Sequence, residues 1–475
     1  MSLLKKFLSF SIGGYISLLI GLLTTPIITR MISPEEYGIF SMYSLTINIL
    51  MFVVMLGLDQ GFVRFFYEED TFNAKSALLK KSLKLPMGIL IILLPILWTF
   101  RIFLVKIIFD NENSRVLIFY IFIGLLFSIL NRFSNLAVRM QQKGKLYSFI
   151  QVLNQIGNFI LILVIYKIYG DNYKVLVLSL IGSTMITAVV SIFFEKKMWF
   201  SFENKTKVKY KELLEYSYPI AITVVVSWLF QSADKLFIKY YSNLEELGLY
   251  AAAFKIIALL NIIQSGFNTF WIPVSFEKYE KEKENIEFFQ KIFKLISFAM
   301  LIVGICILLG KDLLILILGK KFEDAVKIFP VLIFMPIMNT VSEVTVVGIN
   351  FKKKTKYHLI ISVMITIVNL IGNYLLVPIL GAIGAAISTG TSFFLFFLLR
   401  TYFSKKSFDC KYNIKKFVIL SILLLFYSIY LSFNLSNFQG YIYGCVLLIL
   451  TLYFYKEIIN EIYIEFIKSK ERRKE

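Results

Sequence analysis

The sequence is poor in the residue types that build metal centres and covalent catalysts. It contains one histidine and three cysteines in 475 residues. Cys306, Cys410 and Cys445 lack the spacing of metal ligands or of a disulfide framework, so we interpret them as packing residues. With His358 as the single imidazole, we expect neither a histidine-based metal site nor a Ser-His-Asp triad. A GxxxxGK[ST] phosphate loop is also absent from the sequence. We therefore predict no metal and no cofactor.

Charged residues are also scarce, whereas apolar residues are abundant. Charged side chains make up 17% of the chain, hydrophobic ones 58%, and the mean hydropathy is +0.73. A soluble domain is closer to half apolar. Apolar stretches of about 20 residues recur along the sequence, each long enough to cross a bilayer core of about 30 Å. The composition therefore predicts an all-α integral membrane protein with little soluble mass.

The first 30 residues begin with positive charge and continue as an apolar run, as a signal peptide does. They lack a clear small-residue cleavage site, and the run is longer than a signal peptide needs. We expect this segment to be retained as the first spanning helix.

Hydropathy predicts about fourteen transmembrane helices, with boundaries uncertain by about 2–4 residues. The predicted segments are 7–29, 38–60, 84–105, 115–137, 147–169, 174–194, 214–238, 250–274, 291–310, 325–349, 357–378, 382–402, 416–434 and 439–456.

The distribution of basic residues predicts the orientation of the chain. With the N-terminus inside, roughly 37 of the 51 Lys and Arg residues lie in cytoplasmic connections and about 11 lie outside. Both termini are then cytoplasmic. Orientation and contact with anionic lipid explain the net charge of +20, so we expect no nucleic-acid partner. The longest outer connection, about 310–325, is too short to form a domain, so we do not expect an enzyme.

Two parts of the chain resemble each other at an offset of about 210 residues, as in transporters with duplicated halves. The aligned pairs are Lys143 with Lys354, Lys145 with Lys356, Val152 with Val363, Asn158 with Asn369, Gly170 with Gly381, and, from a second match between 32–40 and 241–250, Gly38 with Gly248. Each half begins inside, so we predict two parallel six-helix repeats. In transporters built this way, the substrate site lies where the halves meet. The predicted domains are an N-terminal lobe (1–194), a cytoplasmic linker (195–212), a C-terminal lobe (213–402), and a cytoplasmic loop with an appended helix pair and basic tail (403–475).

Several predicted membrane segments carry polar side chains on one helical face. A charge at the bilayer centre costs about 2.5–3.5 kcal/mol on insertion scales, so each charge is a functional candidate. Arg132, Lys235 and Lys255 are the cationic candidates for a substrate-binding cavity. The polar residues predicted to line this cavity are Asn135, Asn154, Asn158, Gln231, Asn261, Gln264, Asn268, Asn339, Asn369 and Asn373. Alternatively, any single one of these amide side chains forms a hydrogen bond between two helices instead of lining the cavity. Such a bond is worth about 0.6 kcal/mol.

A cavity with fixed positive charge selects an anionic substrate. The planar fork of an arginine binds phosphate oxygens through two hydrogen bonds. We therefore predict that a diphosphate binds to Arg132, Lys235 and Lys255. Arg64 and Arg139 lie near cytoplasmic helix ends, where they either form the rim of the cavity or anchor to head groups.

Three carboxylates are candidates for ion coupling. Glu343 lies deep in a predicted segment without an adjacent lysine, which suits a proton-coupling group, although it could equally be the partner of a cavity lysine. Asp234 either couples an ion or neutralises its neighbour Lys235. Asp59 is the third candidate and lies near a cytoplasmic helix end.

Three segments resemble a known family: GLDQGFVRFFYE (57–68), SADKLFIKYYSNLEELGLYAAAFKI (232–256) and NLIGNYLLVPILGAIGAAIS (369–388). They are similar to the polysaccharide biosynthesis or O-antigen-type oligosaccharide flippases of the multidrug/oligosaccharidyl-lipid/polysaccharide (MOP) exporter superfamily. The resemblance extends over nearly the whole chain.

This resemblance implies two six-helix bundles around a V-shaped cleft that opens alternately to each side of a bacterial cytoplasmic membrane. It implies that undecaprenyl-diphosphate-linked oligosaccharide moves from the cytoplasmic to the outer leaflet, driven by an ion gradient. The product would serve O-antigen, capsule, or teichoic- or teichuronic-type polysaccharide assembly. Implied partners are the lipid bilayer, a polysaccharide polymerase and other glycan-assembly proteins.

Other functions remain open. The extra helix pair at 416–456 is similar to that of relatives that flip the peptidoglycan precursor, so a lipid II-type flippase is one alternative. A cation-coupled multidrug exporter is another, although intramembrane cations outnumber lone carboxylates here. From another class, a membrane polysaccharide polymerase would need a long outer loop. A scaffold for glycan assembly would function without the cavity charges.

Overall fold

The computed structural model is helical, and no strand occurs in the residues that it describes, namely 3–109, 116–201, 205–281, 286–313, 318–352, 354, 356–434, 438–461 and 464. The helices are α1 (Leu3–Met31), α2 (Pro34–Met55), α3 (Leu58–Phe65), α4 (Phe72–Thr99), α5 (Arg101–Phe109), α6 (Val116–Met140), α7 (Gly144–Tyr169), α8 (Tyr173–Phe194), α9 (Lys196–Trp199), α10 (Tyr210–Tyr241), α11 (Leu244–Lys281), α12 (Ile286–Leu309), α13 (Ala325–Leu332), α14 (Phe334–Thr345), α15 (Val347–Phe351), α16 (Lys356–Lys405), α17 (Ile414–Phe433) and α18 (Phe438–Phe454).

Many of these helices are long and apolar enough to cross a membrane. Within the described residues, 10 helical segments meet that condition, and α18 is a shorter apolar helix. Every predicted segment overlaps a helix, and α16 contains two of them because its backbone leaves the helical conformation at Gly381. The prediction of an all-α membrane protein is confirmed. The count of fourteen spanning helices stays a prediction.

The predicted boundaries at 84–105 are wrong. Helix α4 begins earlier, because the side chain of Thr71 caps it by accepting the N–H of Ala74 at 3.1 Å. Lys80, which we expected in a connection, lies on α4 and donates to the carbonyl of Ser201. Hydropathy underestimated the helix because its first turns are polar and contact the linker.

The predicted single segment 325–349 is divided into α13, α14 and α15. Pro336 has no N–H to donate to the carbonyl four residues before it, which weakens the helix at the α13–α14 junction. Thus a continuous apolar sequence contains a break that hydropathy does not detect.

The chain forms two compact units, Met1–Ser232 and Ala233–Glu475. In the first unit, α7 packs against α1 and α8, and α6 packs against α8. In the second, α14 packs against α16, and α13 packs against α11 and α17. The predicted domain limits stay predictions.

The predicted linker 195–212 is fastened to the first unit where the structure describes it. Glu195 accepts hydrogen bonds from Gln141 Nε2 at 2.7 Å and from Lys143 Nζ at 2.6 Å. The hydroxyl of Ser76 donates to the carbonyl of Met198. These contacts keep the start of the linker on α4 and α6.

Two glycines aligned by the sequence repeat adopt the same unusual backbone conformation. Gly170, after α7, has φ 63°, and Gly381, within α16, has φ 55°. L side chains rarely adopt positive φ, so glycine is the residue that fits this turn.

A glutamate from an earlier helix binds the backbone just after each of these glycines. Glu36 Oε2 accepts the N–H of Tyr173 at 2.5 Å, and Glu246 Oε2 accepts the N–H of Ala382 at 2.9 Å. A carboxylate at a helix N-terminus satisfies free N–H groups and interacts favourably with the helix dipole. Both units therefore have a glutamate that caps the helix after the aligned glycine, with the donor N–H three residues after that glycine in the first unit and one residue after it in the second.

We expect Gly381→Ala to destabilise the protein by about 1–3 kcal/mol, because alanine would be strained at this φ. Its Cβ would also lie 3.0 Å from Glu246 Oε2. The measurement is thermal unfolding in detergent, where the midpoint should fall. Gly88→Ala is the matched control, because a Cβ there meets nothing within 4 Å. Equal midpoints for the two variants would contradict the prediction.

Candidate functional site

Arg132 lies on α6 in the first unit, and its side chain is 48% exposed. Its Nε and Nη2 atoms donate to Asp59 Oδ2 at 3.0 Å and 2.6 Å. The Asp59 side chain is 12% exposed. The structure thus brings together two predicted site residues, and Asp59, a predicted coupling candidate, already has a counter-ion.

A backbone break positions Asp59. Helix α2 ends at Met55, and Leu56 (φ 47°) and Gly57 (φ 74°) are both left-handed before α3 begins. A Cβ on Gly57 would lie 2.5 Å from the carbonyl oxygen of Ser217, so a side chain has no room there. The predicted continuous helix 38–60 is therefore wrong at its end.

Two cavities in the first unit share the Arg132 side chain. The apolar cavity, named for its larger share of apolar surface, is about 360 Å³. It is lined by Ile47, Asn48, Met51, Phe52, Met55, Gly57, Asp59, Gln60, Ser128, Arg132 and Ala221. The polar cavity, about 300 Å³, is lined chiefly by Ser128, Asn131, Arg132, Asn135, Arg139 and Tyr147. Arg139 therefore shares a cavity with Arg132.

A chain of hydrogen bonds leads away from the polar cavity. Asn131 Oδ1 accepts from Asn135 Nδ2 at 3.0 Å and from Thr187 Oγ1 at 3.3 Å. Thr187 in turn accepts from Asn154 Nδ2 at 3.2 Å. Two predicted lining residues, Asn135 and Asn154, thus belong to one network. Asn158 Oδ1 is buried and has no partner in the part of the chain that is described.

Asp234, in the second unit, is 2% exposed and surrounded by neutral donors. Its Oδ1 accepts from Asn373 Nδ2 at 2.7 Å and from Asn369 Nδ2 at 3.3 Å. Its Oδ2 accepts from Thr389 Oγ1 at 2.6 Å and from the hydroxyl of Tyr250. The sequence predicted three members of this cluster but not their association, and it gave no signal for Thr389 or Tyr250.

Lys235 does not contact Asp234, although it is the next residue. Adjacent residues of a helix do not face each other. Lys235 is half-buried and Lys255 is exposed. Their positive charges are close enough to repel each other. Neither forms an ion pair with a carboxylate in the described part of the second unit.

Glu343 has a partner that sequence reasoning missed. Arg400 Nη1 donates to Glu343 Oε1 at 2.8 Å and to Ser342 Oγ at 2.6 Å. The side chains of Arg400 and Glu343 are 8% and 19% exposed. The expectation of a partner among the cavity lysines is wrong. Arg400 stands near the end of predicted segment 382–402, where an arginine is normally taken as an interfacial anchor.

The remaining predicted site residues are dispersed. Arg64 pairs with Glu68 one turn along at the surface. Asn268 Oδ1 is buried without a partner in the described residues, and Gln264 and Asn339 are half-buried. The side chains of Gln231 and Asn261 lie outside the described residues.

A family model described as "Polysaccharide biosynthesis protein" matches residues 3–279. The chain belongs to this family.

Similar proteins agree with that assignment. The "Capsular polysaccharide biosynthesis protein CapF" of Staphylococcus aureus is 22% identical over 302 residues, covering 60% of this chain and 74% of that protein. The structure titled "Lipid II flippase MurJ, inward closed conformation" has a TM-score of 0.69 at 17% identity, covering 95% of this chain and 99% of that one.

An outward-facing multidrug resistance MATE family transporter of the MOP superfamily has a TM-score of 0.55 at 16% identity, covering 85% of this chain and 95% of that one. This polysaccharide biosynthesis protein therefore has the fold of MOP-superfamily transporters and is a multi-pass membrane protein.

We expect Arg400→Met to destabilise the protein by about 3 kcal/mol, because it leaves the carboxylate of Glu343 without its cation in a mostly buried site. Adding Glu343→Met should recover part of the loss, because the double variant has no unpaired charge. Thermal unfolding of both single variants and the double variant measures the coupling. Strictly additive effects would contradict a direct pair.

Proposed function

We propose that this protein is a flippase for polyprenyl-diphosphate-linked oligosaccharide in cell-surface polysaccharide assembly. The observation that carries the proposal is Arg132, a half-exposed guanidinium on a membrane helix that lines two cavities. A charge is costly at such a position unless it has a function. Family membership supports a substrate from polysaccharide biosynthesis.

The contacts of Arg132 leave capacity for an anion. Only one oxygen of Asp59 is used, and Nη1 of Arg132 has no partner in the described residues. A guanidinium can therefore keep this contact and bind a phosphate oxygen through its free edge. Lys235 and Lys255 remain proposed anion-binding residues of the second unit.

The charge bias of the connections supports the direction that we propose. The substrate enters from the cytoplasmic leaflet of a bacterial cytoplasmic membrane, where basic residues attract its diphosphate. Both termini are then cytoplasmic. Alternating access, as in transporters built from repeats, exposes the site on the outer side, while the polyprenyl tail remains in lipid. A polymerase and other glycan-assembly proteins are the proposed partners.

Asp234 is the carboxylate that we propose for ion coupling. Asp59 and Glu343 are each held by an arginine, whereas Asp234 contacts neutral hydroxyl and amide donors. A buried carboxylate without a contacting cation can accept either a proton or a monovalent cation to balance its charge.

We expect Arg132→Ala to reduce movement of the lipid-linked oligosaccharide at least about tenfold, because a hydrogen bond to a charged group is worth about 1.5–3 kcal/mol. The assay reconstitutes purified protein in liposomes with a fluorescent polyprenyl-diphosphate oligosaccharide and measures its transfer between leaflets. Lys327→Ala is the control, because Lys327 forms a solvent-exposed pair with Asp324 and belongs to no candidate site. Wild-type transfer by Arg132→Ala would refute the cationic site. Transport of cationic drugs instead of the lipid by the unmodified protein would favour a multidrug exporter.

For Asp234→Asn we expect loss of the acceleration produced by an imposed ion gradient, while slow exchange without a gradient persists. Asparagine keeps the size of the side chain but cannot carry the charge that a coupling ion balances. The same liposomes, with proton and sodium gradients imposed separately, give the measurement. Asp70→Asn serves as control, because Asp70 is an exposed residue that pairs with Lys207. Full gradient stimulation in Asp234→Asn would eliminate this coupling role.

A further inference from the structure

Hydrogen bonds among the side chains on the wall of the polar cavity determine which groups remain free to donate. The oxygen of the Asn131 carboxamide accepts a hydrogen bond from Asn135 Nδ2 at 3.0 Å, and the Thr187 hydroxyl, which also donates to the Ser183 carbonyl at 2.9 Å, lies 3.3 Å away. The contact with Asn135 orients the amide. Its Nδ2 donates to no partner in the described residues, and the side chain lines the cavity. Asn131 therefore presents a free donor pair there.

Neighbouring side chains on α6 add to this surface. The hydroxyl of Ser128 makes no hydrogen bond within the described part of the chain, and Asn135 Oδ1 is buried without a partner. Ser128, Asn131, Arg132, Asn135 and Arg139 follow helical spacing along one face. The wall thus presents neutral hydrogen-bond donors beside charged ones.

The two arginines mark the ends of this surface. Arg132 and Arg139 are seven residues apart, which corresponds to about 10 Å along an α-helix. Arg139 forms no ion pair in the described residues, whereas Arg132 contacts Asp59. The apolar cavity also reaches Arg132 and shares Met51 and Ser128 with the polar cavity. Arg132 therefore stands where a mostly apolar lining meets a polar lining.

We propose that the polar cavity is the subsite for the sugar attached directly to the diphosphate, with Asn131 as its specificity-determining contact and Asn135 as the residue that positions it. This inference rests on the proposed function. The diphosphate lies against Arg132, the sugar oxygens accept from Asn131 Nδ2, and Arg139 closes the far end. A cationic side chain beside a polar cavity matches the order of diphosphate and sugar in such a substrate.

The size of the cavity supports a single sugar. Small-molecule sites are roughly 300–1,000 Å³, and the polar cavity, at about 300 Å³, is at the lower limit. One ring fits this volume, whereas a complete oligosaccharide does not. The remaining sugars of the substrate lie outside this subsite.

The test compares two probes on the full-length protein in detergent: a fluorescent short-chain polyprenyl diphosphate carrying one N-acetylhexosamine, and the same lipid diphosphate without sugar. Equilibrium binding is measured by fluorescence anisotropy. We expect Asn131→Leu and Asn135→Leu each to weaken binding of the sugar-bearing probe about five- to tenfold, the effect of losing one or two hydrogen bonds. Binding of the sugar-free probe should remain within about twofold.

Two variants serve as references. Gln151→Leu removes another membrane-helix amide with a buried, unpartnered oxygen that does not line the polar cavity, so it should change neither affinity. Arg132→Ala should weaken both probes equally. If a leucine variant does not yield folded protein, Asn131→Asp preserves the shape and replaces the free donors with an anion. It should weaken the sugar-bearing probe more than the sugar-free one.

Equal weakening of both probes by the asparagine variants would overturn the subsite, as would unchanged affinity for the sugar-bearing probe. These outcomes leave the proposed function intact if the unmodified protein moves the sugar-bearing lipid across liposomes. If instead the proposed function is wrong, the unmodified protein moves neither lipid across liposomes.

Discussion

The absence of water from the hydrocarbon core is the constraint on which this structure depends. Every charged or polar group there needs a partner, because an unpaired one costs several kcal/mol. The protein meets this requirement for three carboxylates in three ways. Asp59 pairs with Arg132, which also lines two cavities. Glu343 pairs with Arg400, which is buried. Asp234 is buried and accepts hydrogen bonds from neutral donors. The partner of each acid therefore suggests its role: Asp59 at a binding site, Glu343 in packing, and Asp234 in coupling.

The two similar parts of the chain share one structural contact and differ in the charge of another aligned position. Glu36 and Glu246 each cap the helix that follows an aligned glycine, so this contact belongs to the shared framework. At the offset that aligns Asn158 with Asn369, Arg132 aligns with Glu343. Equivalent positions thus carry opposite charges, one accessible and one mostly buried. This difference is consistent with substrate binding in the first unit and ion coupling in the second.

Much of the fold could be predicted because hydropathy acts locally. An apolar run of sufficient length forms a helix in lipid whatever its neighbours are, since its backbone bonds must be satisfied within it. The prediction was wrong where this signal is weak. The polar first turns of α4 are stabilised by a cap and by contacts with the linker, and the α2–α3 break depends on two left-handed residues. Neither feature changes the mean hydropathy of a segment.

The sequence by itself determined the class of the protein, most of the helical segments, the internal resemblance and the presence of Arg132 and Glu343 in apolar helices. These properties depend on composition and on local periodicity. Only the tertiary structure decided the partners of those charges and of Asp234: Asp59 for Arg132, Arg400 for Glu343, and Thr389 and Tyr250 for Asp234. Apart from Tyr250, these partners are more than 50 residues away along the chain. Which of many polar side chains meet is fixed by helix packing, and local sequence does not encode it.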